Sequence, residues 1–267
     1  MASVVRYFAT AAAGDGSGSS VANAAALFTA GAWSSVITGF DFSGTDALEA
    51  RILPGAYTCG AVLQASSFSV AAPTVANPLT LHGADSSGNR LTPPDPGWTA
   101  DQPDWDSSGL PCIATTANIQ TIMLSGCILR LLHLSASGRN GDLLSVGTTG
   151  VHVQWCRLVN STSGTSASIF NTSAIPHFDS CCMAMSGAVY LAALNVAGPV
   201  TIRNCRISGV AGTSGNRDGV RYGGSYGNST TSVLVDRCVI VGHGGHGIVA
   251  ATKAASGSFI VANSVIV

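Results

Sequence analysis

The chain is poor in charge. Lys and Arg number 12 and Asp and Glu number 13 among 267 residues, so charged residues make up 9% and the formal net charge is −1. Soluble domains average about 25% charged residues, so much of this surface must consist of neutral Ser, Thr, Gly, Ala and Asn. Such a surface protects poorly against association, which indicates a chain that works inside a larger assembly. Without a basic field, nucleic acid is not an expected partner.

Long apolar runs are also missing. Apolar residues form 46% of the chain, yet no run approaches the roughly 18 residues that a membrane-spanning helix requires. Residues 1–6 lack the basic segment and apolar core of a secretory signal. We therefore expect neither membrane insertion nor a signal peptide.

A repeat organises the second half of the chain. Six nine-residue segments share one apolar pattern: 127–135, 151–159, 176–184, 200–208, 233–241 and 259–267. Their first, third, sixth and eighth positions are mostly apolar, which predicts two short strands with a bend at the fourth and fifth positions. Asn204 and Asn263 occupy the fifth position, and Asn tolerates left-handed backbone angles better than most residues.

The sixth position recurs every 24 to 33 residues and is occupied by Leu132, Cys156, Cys181, Cys205, Cys238 and Ser264. A further short strand precedes most copies, as in residues 142–146 and 219–222. Three strands in a unit of this length close one coil. The pattern predicts an all-β fold, a right-handed parallel β-helix with the sixth positions stacked in an inward ladder. Helical repeats have similar lengths, but short β-branched runs split by Gly, Ser and Asn disfavour them.

The V-x-I-x-N-C-x-I copies resemble the repeats of the pectate-lyase-like right-handed parallel β-helix superfamily, most clearly over residues 79–267. The segments Arg6-Tyr-Phe-Ala-Thr and Ile52-Leu-Pro-Gly-Ala-Tyr-Thr-Cys59 look like the N-terminal cap and first coil of such proteins, which include phage tail-spike and tail-fibre proteins. The resemblance implies a fold rather than a function, because this fold serves many functions.

The chain is expected to have two parts. Residues 1–36 predict an N-terminal cap, in which a helix near residues 21–29 lays Leu27 and Phe28 over the open end of the stack. Residues 37–267 predict the β-helix itself.

A long insertion interrupts the predicted β-helix at residues 85–112, which are rich in Pro, Asp and Trp. A loop of this length is usually functional or part of an interface. Trp98 and Trp105 are therefore candidates for stacking on a sugar ring or packing against a neighbouring subunit. The alternative is that both fold back onto their own coil.

The chain has eight cysteines, and the four in the ladder, Cys156, Cys181, Cys205 and Cys238, are predicted to be buried free thiols. Residues in register on neighbouring strands lie about 4.8 Å apart, whereas a disulfide needs Cβ atoms about 3.8 Å apart. No C-x-x-C motif occurs, and the adjacent Cys181 and Cys182 are expected to face opposite sides. A metal site would need clustered ligands, so we expect no metal and no cofactor.

Asp218 and His246 are the strongest candidates for chemistry. Asp218-Gly-Val aligns with His246-Gly-Ile one coil later, so the two side chains are expected to be close. With Asn216, Arg221 and His243 they form a candidate surface or glycan site. The N-x-D and G-H-G motifs faintly resemble those of polygalacturonases, but the D-D and R-x-K motifs are missing. Glycoside hydrolysis generally uses two carboxylates, so a structural role at the strand start is the alternative.

Asp179 and Asp236 occupy the fourth position of their copies, with Arg203 between them on the same outer stripe. Two acids separated by an arginine make a poor calcium site. Cross-strand pairing of Asp with Arg is the simpler expectation.

Three functions compete. The first is a non-enzymatic bacteriophage virion component, which is a tail spike, tail fibre or head decoration made in the host cytoplasm. It would form a homotrimer, contact other virion proteins and attach to host-surface polysaccharide. The second is a carbohydrate-active lyase or glycosidase. The third is a bacterial surface adhesin or scaffold. Paired outward carboxylates in one groove would favour the enzyme, and a threefold assembly would favour the virion component.

Residues 259–267 form a complete strand-bend-strand unit with apolar positions at Phe259, Val261, Val265 and Val267. A final coil of this kind exposes core residues and unpaired backbone groups. We expect this end to be covered, by further chain or by a partner subunit.

Overall fold

The structure is a computed structural model. It describes residues 3–115, 122–123, 125–137, 142–146, 150–161, 168–172, 176–187, 192–196, 198–209, 217–222, 232–250 and 258–267.

Short strands dominate these residues. In chain order the elements are β1 (Ser3–Ala9), a 3-10 turn (Val21–Asn23), β2 (Ala25–Ala26), β3 (Phe28–Thr29), β4 (Ala32–Trp33), α1 (Ser35–Thr38), β5 (Ala47–Ile52), β6 (Ala56–Thr58), β7 (Leu63–Gln64), a 3-10 turn (Ala65–Ser67), β8 (Leu79–Gly83), β9 (Cys112–Thr115), β10 (Ile122–Met123), β11 (Cys127–Arg130), β12 (His133–Ala136), β13 (Leu144–Val146), β14 (Val151–Gln154), β15 (Arg157–Asn160), β16 (Phe170–Thr172), β17 (Pro176–Asp179), β18 (Cys182–Met185), β19 (Ala192–Val196), β20 (Val200–Arg203), β21 (Arg206–Ser208), β22 (Asp218–Tyr222), β23 (Val233–Asp236), β24 (Val239–Val241), β25 (Ile248–Ala250), β26 (Phe259–Ala262) and β27 (Val265–Ile266).

The strands build three large parallel sheets. Their strand orders are β2-β1-β5-β8-β11-β14-β17-β20-β23-β26, then β6-β9-β12-β15-β18-β21-β24-β27, then β7-β10-β13-β16-β19-β22-β25. A separate antiparallel pair joins β3 and β4. The predicted all-β character and parallel pairing are confirmed.

From β5 onward the chain visits the three sheets in a fixed rotation. It passes from the ten-stranded sheet to the eight-stranded and then the seven-stranded sheet, and returns to the first sheet one strand further along. We call one such passage a circuit. Each circuit pairs with the one before and the one after, so side chains in register form rows along the stack.

A single residue makes the corner between the ten-stranded and eight-stranded sheets. In six circuits this residue has a left-handed φ between 47° and 54°: Leu131, Trp155, Ser180, Asn204, Arg237 and Asn263. A non-glycine residue in this region costs about 1–2 kcal/mol. Hydrogen bonding offsets that cost, because the N–H of each corner residue except the last bonds to a carbonyl of the next circuit, as from Asn204 to Asp236 at 3.0 Å.

The residue after each corner points into the core. Leu132, Cys156, Cys181, Cys205 and Cys238 are all at most 1% exposed, while Ser264 of the last circuit is half-buried. The backbone N–H of Cys181 lies 3.5 Å from the sulfur of Cys205, and the N–H of Cys238 donates to Oγ of Ser264 at 3.0 Å. All eight cysteines are free thiols. Burial raises the pKa of Cys156 and Cys205 well above the ordinary thiol value.

The N-terminal part differs from the expected strand and helix. The predicted helix at residues 21–29 is wrong: only Val21–Asn23 forms a 3-10 turn, capped by Oγ of Ser20. Ala25 instead pairs with Phe8 of β1, so strand pairing overrides the helix preference of the alanines. Because β1 also pairs with β5, residues 1–36 contribute directly to the ten-stranded sheet. Leu27 is fully buried and Phe28 half-buried.

A buried ion cluster joins the first circuit to the long loop. Glu49 is 3% exposed, and its carboxylate accepts hydrogen bonds from Arg51 at 2.9 Å and from both Nε and Nη2 of Arg90. Hydrogen bonding from Arg90 lowers the pKa of Glu49 to about 2. Nothing in the sequence pattern predicted this cluster.

Candidate functional site

Asp218 lies at the centre of the candidate site. It is the first residue of β22 and is 1% exposed. Its Oδ1 accepts a hydrogen bond from the backbone N–H of His246 at 3.0 Å and lies 3.2 Å from Nδ1 of the same residue. Its Oδ2 accepts a hydrogen bond from Arg221 at 3.2 Å. The structure thus brings Asp218, Arg221 and His246 together.

Tight backbone packing fixes Asp218 against His246. The N–H of Gly219 donates to the carbonyl of His246 at 2.8 Å. A Cβ on Gly219 would lie 2.5 Å from the carbonyl oxygen of Gly247, so a side chain does not fit there. The short distance between the two strand starts therefore depends on glycine at position 219.

The two histidines of the candidate set differ in environment. The His246 side chain is 72% exposed. His243 is half-buried, and its Nε2 lies 3.4 Å from the carbonyl oxygen of Ile207. Burial lowers the pKa of His243, with a smaller opposite effect from Asp218. Asn216, the remaining predicted member, lies outside the described residues.

Asp218 belongs to a row of residues at the starts of the strands in the seven-stranded sheet. The residues two positions before Leu144, Phe170, Leu194 and Val220, which are in register, are Asp142, Ser168, Ala192 and Asp218. All four are buried, and Ser168 donates to Asp142 at 2.5 Å. The apolar repeat did not predict this row, although its four residues lie at the same distance from the start of each strand pairing.

The row separates its two carboxylates too far for glycoside hydrolysis. Asp142 and Asp218 are three strands apart, which at parallel-strand spacing is about 14 Å. Glycosidases hold their two carboxyl groups roughly 5–9.5 Å apart. The Asp218 carboxylate also has both oxygens engaged by Arg221 and His246. The arrangement suits anchoring of the His246 backbone better than acid–base chemistry.

The described residues offer no set of ligands for a metal ion. Among them, no group of three or more His, Cys, Asp or Glu side chains is placed to hold an ion. The outer stripe has Asp179, Arg203 and Asp236 in register, as expected. The expected cross-strand ion pair is not formed: the carboxylate of Asp236 contacts Arg237 at 3.4 Å and accepts a hydrogen bond from Asn263 at 3.1 Å.

The tryptophans of the long loop are buried, which corrects their interpretation as an exposed sugar-stacking surface. Trp98 is 3% and Trp105 5% exposed. Both pack on Trp155, each with ring centroids 6.3 Å apart, and belong to one apolar cluster with Cys182 and Val239 of the eight-stranded sheet. Apolar burial favours this position over display to solvent. The alternative that they fold back onto their own coil is also not what the structure shows, because they pack on later circuits of the same chain.

Polar contacts fix the same loop along the eight-stranded sheet. The side chain of Asn204 accepts a hydrogen bond from the N–H of Ala100 at 3.1 Å and donates to the carbonyl of Trp98 at 3.0 Å. Asp104 forms ion pairs with Arg157 at 2.5 Å and with Arg206 at 3.4 Å. Residues 84–111 therefore lie against circuits far from their own place in the sequence.

No protein family, curated protein or solved structure matches this chain in comparisons with known proteins. No helix among the described residues is long and apolar enough to cross a membrane. The resemblance to the pectate-lyase-like repeats stays a prediction carried by the repeat sequence.

Proposed function

We propose that the chain is a right-handed parallel β-helix and serves as a non-enzymatic structural component of a bacteriophage virion. In this proposal it is a tail spike, tail fibre or head decoration, associates as a homotrimer, contacts other virion proteins and attaches to glycans of the host surface. The rotation of the chain through three parallel sheets supports the β-helix. The neutral composition, with 9% charged residues, supports a role in an assembly.

One observation carries the proposal: only 9% of the residues are charged, so the surface is poorly protected against association. The strands β26 and β27 also expose an apolar edge. Six large apolar side chains there are between 41% and 80% exposed: Phe259, Ile260, Val261, Val265, Ile266 and Val267. Soluble chains protect such edges with charge, proline or a cover, because unpaired strands otherwise associate. These six positions hold neither charge nor proline.

Further chain beyond Val267 or another copy of this chain would cover this edge. The net charge of −1 gives almost no electrostatic repulsion between copies. In a homotrimer, the apolar edges of three copies can meet around the threefold axis and bury one another.

Light scattering coupled to size-exclusion chromatography tests the proposal on the full chain. We expect a trimer that dissociates when Ile260→Asp places a charge on the edge. Val70→Asp is the matched control, because Val70 is equally apolar and 63% exposed but lies in the N-terminal half. A soluble monomer at high protein concentration contradicts the assembly. Absence of the chain from gradient-purified phage particles of its source contradicts the virion role.

A carbohydrate-active enzyme is the second candidate, favoured by the contact between Asp218 and His246. The separation of Asp142 from Asp218 argues against it. An assay for cleavage of polygalacturonate by the wild type and by Asp218→Asn tests the enzyme.

A further inference from the structure

A cavity separate from the Asp218 row lies where the long loop crosses the corner of the stack. It has a volume of about 230 Å³ and is lined by His82, Leu91, Pro93, Arg130, Leu131, Gln154 and Trp155. Its apolar wall comes from the indole of Trp155 and the loop residues Leu91 and Pro93. Its polar groups come from the ends of three strands, β8, β11 and β14, which pair in register.

Arg130 is the unusual member of this cavity. Its Nε is buried and has no hydrogen-bond partner. In the part of the chain that the structure describes, no carboxylate forms an ion pair with it. The nearby Glu49 is already engaged by Arg51 and Arg90. A buried donor without a partner costs about 1–3 kcal/mol, and more when it is charged.

The two other polar residues offer complementary chemistry. His82 is 5% exposed, and its Nδ1 donates to the carbonyl of Gly83 at 2.7 Å. Burial lowers the pKa of His82, which favours the neutral ring. The neutral ring leaves Nε2 as a hydrogen-bond acceptor. The amide of Gln154 supplies both a donor and an acceptor.

We propose that this cavity binds a carboxylate-bearing sugar unit, with Arg130 holding the carboxylate. A guanidinium matches the two oxygens of a carboxylate. Trp155 gives the apolar wall on which a ring packs, and His82 and Gln154 accept and donate hydrogen bonds to hydroxyl groups. Pockets for drug-sized ligands measure roughly 300–1,000 Å³, so this smaller cavity fits a single sugar unit.

The inference rests on the proposed attachment to glycans and names the chemical class that is recognised. Trp155, rather than Trp98 or Trp105, becomes the aromatic residue that contacts sugar. The two loop tryptophans pack against the ring of Trp155, each with ring centroids 6.3 Å apart.

Calorimetric titration of the full chain with D-glucuronate, D-glucose and acetate tests the proposal. We expect glucuronate to bind with a Kd on the order of 1 mM, with acetate weaker and glucose undetectable. Arg130→Met keeps the apolar stem but removes the donors, and should weaken glucuronate binding by roughly tenfold to hundredfold. Arg203→Met is the matched control, since Arg203 occupies the same register three strands away on the same sheet, and it should bind like the wild type.

Three results overturn the inference: no binding of glucuronate, equal binding by the wild type and a folded Arg130→Met variant, or acetate binding as tight as glucuronate. The last result assigns the cavity to a bare carboxylate rather than a sugar. If the wild type and Arg130→Met retain an acidic bacterial polysaccharide equally well, the cavity has no role in glycan attachment. The proposed function is unaffected by that result. If the chain is not a trimer or is not found in virions, the proposed function is wrong. Glucuronate binding at Arg130 can still be observed in that case.

Discussion

Arg90 donates two hydrogen bonds to the carboxylate of Glu49, 41 residues earlier in the chain, and so fixes the start of the long loop to the first circuit. Arg51 adds a third hydrogen bond from the neighbouring outer position of β5. The carboxylate is almost fully buried, so its negative charge depends on these two guanidinium groups.

Acid should weaken the fold through Glu49. Its pKa falls from an ordinary 4.5 to about 2 in the folded chain. The ionised form therefore stabilises the fold above the ordinary pKa, and this stability is lost as the pH falls from about 4.5 toward 2. The shift corresponds to about 3 kcal/mol. Urea unfolding measured across this range should show the loss in the wild type and a flatter profile in Glu49→Gln. The exposed Asp46→Asn variant should keep the wild-type profile; equal profiles for all three chains contradict the assignment.

The cysteine row should be inert and intolerant of charge. Native protein treated with a thiol reagent should label the half-buried Cys112 first and Cys156, Cys181, Cys205 and Cys238 only after denaturation. Cys205→Arg places an unpaired charge in the core and should lower the free energy of unfolding by more than about 4 kcal/mol. Cys205→Ala, which only removes the sulfur, should cost far less. Fast labelling of all four native thiols would show that the row is not buried.

Asp218 should support structure rather than catalysis. We expect no cleavage of polygalacturonate by the wild type, measured by reducing ends and by unsaturated products. Asp218→Asn should instead lower the free energy of unfolding by about 1–3 kcal/mol, because Arg221 loses its charged partner. His246→Ala keeps the backbone hydrogen bond to Asp218 and serves as the milder control. Turnover that disappears in Asp218→Asn would establish the enzyme.

Arg237 should be replaceable by glycine with a gain in stability. It is an exposed corner residue with a φ of 53°, where a side chain is strained. Arg237→Gly should raise the free energy of unfolding by roughly 0.5–1 kcal/mol, and Arg237→Val should lower it by about 1–2 kcal/mol. The same two substitutions at Thr201, inside β20, should rank in the opposite order. Thermal unfolding of the four variants gives the order of stability of the Gly and Val variants at each site. If this order is the same at Arg237 and Thr201, the corner is not strained.

The repeat predicted much of the core because it depends on local alternation. Apolar residues are spaced by two within the strands and by three across the bend. This spacing located the corners, including Asn204 and Asn263, and the residues after them. It could not indicate that Leu131, Trp155 and Arg237 adopt the same left-handed angle. Backbone hydrogen bonds to the adjacent circuit stabilise that angle, and they form whether the corner residue is Leu, Trp or Arg.

Features that depend on distant packing were harder to predict. The helix expected at residues 21–29 follows local propensity, but Phe8 offers Ala25 a strand partner. The burial of Trp98 and Trp105 depends on Cys182 and Val239, which lie far along the chain. Asp218 and His246 were placed together correctly because both lie at the same offset in neighbouring circuits.

The long loop has a consequence for how the stack comes apart. Stacked repeats that touch only their neighbours can fray one unit at a time, with opening energies that fall toward the ends. Here residues 84–111 belong to the second circuit yet contact Trp155, Asn204 and Val239 in the fourth, sixth and seventh. Unfolding of any of these circuits must release the loop, so opening becomes cooperative across the middle of the molecule. The loop thus converts a series of independent units into one block that resists partial unfolding.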